Sequence, residues 1–153
     1  MKQPILGLLL MVLATFSLLS ISSAEMTSKA NALAPTIVMP GDLKWAPVNG
    51  LTGVQMAVVW GDPNKPGPYI IRLELADGAV APPHWHPDDE RATVLSGTFM
   101  VGVGDTVDPS KMRALGAGAF VFIPKGVHHY AQAKGATIVQ VSGMGPFVMN
   151  MVK

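Results

Sequence analysis

The chain has 153 residues, 49% of them hydrophobic and 14% charged, with 11 Lys and Arg against 10 Asp and Glu. That is too apolar for a disordered chain, too short for two comfortable domains and long enough for one sizeable core. The near-neutral balance, without a basic run, leaves no electrostatic footprint for a nucleic acid. The absence of Cys excludes disulfides, thiolate metal sites, iron–sulfur clusters and a cysteine nucleophile.

Residues 1–24 open with Met1 and Lys2, run through an apolar stretch from Ile5 to Leu19 and close on Ser22, Ser23 and Ala24. A cationic start, an apolar middle and small residues before Ala24 predict a cleaved secretory signal peptide. The run is short for spanning ~30 Å of hydrocarbon, so no stable membrane insertion is expected after cleavage. The expected location is exported, periplasmic or secreted. Residues 25–41, with Asn31, Pro35, Pro40 and Gly41, read as a flexible N-terminal arm, and 42–153 as the folded domain.

Within that domain, short apolar runs recur about every ten residues between turn signals. The pattern predicts strands over 54–60, 69–75, 80–86, 92–95, 98–103, 119–123, 129–133, 137–142 and 147–152. The 69–75 run alternates, with Tyr69, Ile71, Leu73 and Leu75 on one face and Arg72 and Glu74 on the other. Only 108–115 looks helical, with Asp108 as a cap and Pro109 at the first helical position, and it reads as one turn within a hairpin connection. The fold class is therefore all-β, a sandwich or barrel.

The chain's only histidines are His84, His86, His128 and His129. On a strand, residues two apart share a face, so His84 and His86 aim at one point. The Pro87-Asp88-Asp89 turn brings Glu90 alongside, and a second strand supplies His129. Three imidazoles and a carboxylate suit one divalent first-row metal. In an octahedral ion they leave two adjacent positions for water, oxygen or a chelating substrate. His128 neighbours His129, so alternation turns it away from that point, which leaves His129 the expected ligand and His128 the runner-up should a bulge intervene.

The spacing Gly78, His84, His86, Glu90, Gly97 resembles the first motif of the cupin superfamily, with every fixed position met. Gly118, Pro124, Gly126 and His129 resemble the second. That motif's terminal Asn falls where this chain has Ala133. Twenty residues separate the motifs, as in small single-domain cupins. The resemblance implies a double-stranded β-helix, or cupin jelly-roll barrel. It also implies a metal site of His84, His86, Glu90 and His129 holding Mn, Zn, Fe or Ni, with Cu also accommodated, and a homodimer.

Around the site, Tyr130 and Arg72 are the weaker candidates. Tyr130 follows a ligand and should point outward, as a surface or dimer-interface aromatic; Arg72 is either a grip for a substrate carboxylate or an exposed strand cation. Phe99, Met100, Phe120 and Phe122 are expected to fill the core, and Met144, Met149 and Met151 to pack rather than bind copper. No Ser stands with a base in a hydrolase pattern, and neither Gly102-Val103-Gly104 nor Gly143-Met144-Gly145 opens a helix as a phosphate loop would. The implied function is a metalloenzyme of dioxygenase-like, oxidoreductase or lyase type acting on a small oxygen-rich molecule. The alternative is a cupin that only binds or senses a metal or ligand.

Overall fold

The computed structural model describes residues 35–153, so the expected signal peptide over 1–24 lies outside the described residues, as does most of the expected arm. Val38–Lys153 forms one compact unit. Nine strands make it up: β1 (Ala46–Pro47), β2 (Val54–Gly61), β3 (Gly67–Leu75), β4 (Val80–Trp85), β5 (Glu90–Val103), β6 (Arg113–Gly116), β7 (Phe120–Ile123), β8 (His129–Gly145) and β9 (Asn150–Met151). All pairings are antiparallel. The chain is all-β, as expected.

One long strand organises the sheet. β8 pairs with β5 along most of its length, from Val103↔His129 to Arg91↔Ser142. On its other edge β8 pairs first with β4, through His84↔His129, and then with β3, from Leu75↔Thr137 to Gly67↔Gly145. Each of β5 and β8 therefore merges two of the expected short strands. The merging needs Gly97, whose φ is +77° and where a Cβ would run into the Ala136 carbonyl and the Thr137 hydroxyl. No L side chain takes that backbone without strain. The register shifts on both sides of Ser96 mark the same bend.

The core lies between the curled halves. Ile71, Leu75, Val94, Val139 and Val141 are fully buried, and Val101, Ile123 and Ala131 form a second cluster. The alternation expected for 69–75 is present, with Tyr69, Ile71 and Leu75 buried.

Four local expectations are corrected. Phe120 and Phe122 are 59% and 47% exposed, because β7 turns Val121 and Ile123 inward instead. Tyr130 is fully buried rather than at the surface. Within 108–115 only Pro109–Lys111 is a helical turn, capped as expected by Asp108 accepting from the Ser110 amide at 3.0 Å; Arg113–Gly116 is a strand paired with β5. Of the expected 147–152 strand, only Asn150–Met151 pairs, with β4.

Candidate metal centre

His84 lies on β4, His86 just beyond it, His129 at the start of β8 and Glu90 at the start of β5. The pairing His84↔His129 sets two imidazoles side by side, with ring centroids 4.1 Å apart. A nitrogen from each of His84, His86 and His129 lies within 4.8 Å of the others, and all three side chains are buried. Glu90 Oε2 stands 3.3 Å from His129 Nε2 and 3.7 Å from His86 Nε2.

The two motifs are tied together by backbone. The Gly126 amide donates to the His86 carbonyl at 2.9 Å, and the Lys125 amide to Asp89 Oδ1 at 3.0 Å. These bonds dock the 124–127 turn against the turn that presents Glu90. Glu90 itself pairs with Ile123. The Pro and Gly of the second motif thus buttress the ligands of the first.

The ring orientations are set by main-chain carbonyls. Nδ1 of His84 lies 2.6 Å from Pro82 O, that of His86 2.7 Å from Val148 O, and that of His129 3.0 Å from Val127 O. A carbonyl only accepts, so each Nδ1 donates its proton outward and leaves Nε2 as the ring atom free to face the other ligand candidates. Among the described residues, His86 Nε2 is buried without any hydrogen-bond partner. Three lone pairs and a carboxylate converging in a buried space are mutually unfavourable until a positive charge lies among them. This donor set of three imidazoles and one carboxylate, with the second nitrogen of each ring anchored, fits a divalent transition ion.

Electrostatics agree. Burial, then the neighbouring His129, pushes His84 down to about 4, which keeps it neutral and able to ligate. Burial alone pushes the Glu90 carboxyl up, but the His129 hydrogen bond and the field of the three imidazoles outweigh it and hold the group below its ordinary value.

Two supporting aromatics were not singled out for the site by sequence. Phe147 stacks on His86 at 5.2 Å and meets Tyr69 at 5.7 Å. Burial, followed by the charges of Glu90 and Asp88, pushes the Tyr69 hydroxyl up to about 12. Alternation along β3 already pointed Tyr69 inward; nothing local marked Phe147.

The remaining candidates lie elsewhere. Arg72 Nε donates to Gln140 Oε1 across β3 and β8 at 3.2 Å, on the face away from the imidazoles. The Tyr130 ring lies against Gly102, where a Cβ would strike it, and its hydroxyl donates to the Asp108 carbonyl at 3.2 Å beneath the loop that follows β5. His128 Nδ1 pairs with Asp105 Oδ1 at 2.6 Å, outside the cluster.

A curled antiparallel barrel with a buried three-histidine cluster is the arrangement that the resemblance to cupins implies. A family model described as a cupin domain matches residues 71–142, a span that includes the paired motifs, and this match supports a cupin superfamily protein. Germin-like protein 3-1 of Oryza sativa subsp. japonica is 43% identical over 84 residues, covering 53% of this chain and 37% of that protein. Oxalate oxidase GF-2.8 of Triticum aestivum is 31% identical over 94 residues, covering 58% and 42%. The chain spans less than half the length of these relatives. Among solved structures, the polyketide cyclase RemF from Streptomyces resistomycificus matches with a TM-score of 0.67 at 20% identity, over 78% of this chain and 87% of that one. That likeness concerns the fold.

Proposed function

We propose that this chain is an exported, metal-dependent cupin acting on a small oxygen-rich molecule through His84, His86, Glu90 and His129. The observation that carries the reading is the convergence of three buried imidazoles, with His86 Nε2 lacking a hydrogen-bond partner among the described residues. A divalent Mn, Zn, Fe or Ni ion, or Cu, would supply Lewis acidity or redox chemistry there. The chain's own residues do the remaining work. Main-chain carbonyls fix the three rings, Glu90 offsets part of the cation's charge, and apolar side chains around the pocket keep out bulk water. The reaction class that fits is oxidoreductase, dioxygenase-like or lyase chemistry, and the oxalate oxidase among the relatives supports it. The working unit is proposed to be a homodimer, for which the exposed Phe120 and Phe122 offer apolar surface.

A second reading, a cupin that binds without catalysis, is favoured by one observation. Among the described residues, the cavity beside the imidazoles is lined by no ionisable side chain other than the site's own. Turnover separates the two. Protein loaded in turn with each metal is offered diketones, catechols and small diacids while oxygen and products are followed. Turnover of any one supports the enzyme; none with any metal supports the binder.

A further inference from the structure

The cavity beside His84, His86 and Glu90 is small, about 50 Å³. Apart from those three, its lining is hydrocarbon and thioether, including Leu73, Phe99, Val48, Leu51, Phe147 and Met149. The last four also line a wider groove of about 540 Å³. They form a shared wall between the two spaces, built from the 48–51 turn before β2 and the 147–149 stretch before β9. The second stretch is pinned to the site, because the Val148 carbonyl accepts from His86 Nδ1.

Among the described residues, no amide, hydroxyl or cationic side chain lines the inner cavity. The two arginines nearest in sequence are engaged elsewhere: Arg72 on Gln140, and Arg91 on Asp89 and over the Phe122 ring. Three neutral imidazoles, a divalent cation and the Glu90 carboxylate sum to one positive charge. One negative charge on the ligand brings the buried site to neutrality, whereas a second finds no cation. A polar group beyond the chelating end is stripped of water without a partner.

We infer that the cavity and its wall select a monoanionic oxygen chelator whose polar atoms sit at one end and whose remainder is hydrocarbon, entering past Val48, Leu51, Phe147 and Met149. The inference rests on the metal-centre reading and narrows its ligand. Met149, unbranched and flexible, is the wall member best able to move aside.

Acetylacetone and malonate test it, since carboxylate oxygens replace both methyl groups in the second. Full-chain protein loaded with Co²⁺ is titrated with each near neutral pH, with visible absorption and calorimetry as readouts. Each affinity is referred to that of free Co²⁺, and gel filtration with elemental analysis confirms that the metal stays bound. The protein should favour acetylacetone over malonate by roughly tenfold or more beyond the free ion's preference. Leu51→Arg, which sets a cation in the wall, should shift that ratio at least tenfold towards malonate. A loaded wild-type chain that prefers malonate, or binds neither, overturns the inference alone, as does a ratio unchanged by Leu51→Arg. A chain that takes up no Co²⁺ overturns the metal-centre reading and the inference with it.

Discussion

His128 and His129 are adjacent, and they contrast the two sides of β8. On the inner side, His129 is buried, its Nδ1 anchored by a carbonyl and its Nε2 turned towards two other imidazoles and a carboxylate. On the outer side, His128 is partly exposed and pairs with the exposed Asp105. The residue type is the same; the acceptor differs. Anchoring to main chain turns a ring nitrogen inward where water cannot compensate it, whereas an exposed hydrogen-bonded pair is compensated by solvent. The lesson is that strand parity, not histidine content, decides which ring can serve a metal.

The sharpest way to break that contrast is substitution on each side. His129→Ala, His84→Ala or His86→Ala should take metal content from one equivalent per chain to near none, as read by elemental analysis after dialysis. His128→Ala should leave it at one. Equal loss on both sides would erase the distinction.

Packing sharpens the comparison next. The outer face is closed by Tyr130 lying on Gly102. Gly102→Val should therefore cost about 1–3 kcal/mol of unfolding free energy in denaturant titration, since the fully buried ring has nowhere to go. Metal stoichiometry in the folded fraction should stay at one. On the inner face, Phe147→Ala should cost about 2 kcal/mol, below the range for fully buried Phe, and should also weaken metal binding by freeing the His86 ring.

The third test is pH. Folding holds His84 near 4, against its ordinary 6.5. The unfolded chain therefore takes up a proton that the folded, metal-free chain refuses. Stability from this group is complete above about pH 6.5 and declines as pH falls towards 4. Urea unfolding of metal-free protein at pH 7.5, 5.5 and 4.5 should show that decline, and His84→Gln should flatten it. The smallest effect belongs outside: His128→Ala should change stability by at most about 1 kcal/mol, as expected for an exposed pair.

Much of this was legible in the sequence, for reasons particular to each residue. His84 and His86 share a face because a strand repeats every two residues, and the register of Glu90 and His129 followed from motif spacing rather than from any single residue. The barrel class followed from turn signals at short intervals. What escaped depended on distant chain. Phe120-Val121-Phe122-Ile123 alternates correctly, but which face of β7 meets the core is decided by its partner strand, and the larger side chains face out. Tyr130 does point away from the ligands, yet the loop after β5 covers it, an event invisible to local pattern. Phe147 lies in a stretch that reads as strand and instead packs on His86.

The central claim is that one cation sits among the Nε2 atoms of His84, His86 and His129 and the Glu90 carboxylate. Anomalous X-ray scattering from crystals of the metal-loaded protein, collected at the metal's absorption edge, tests it most directly. The account predicts a single strong peak bonded to those three Nε2 atoms and to Glu90 at about 2.0–2.2 Å if the metal is zinc. A peak bonded through Nδ1, a peak on the His128 side of β8, or no peak inside the barrel would contradict it.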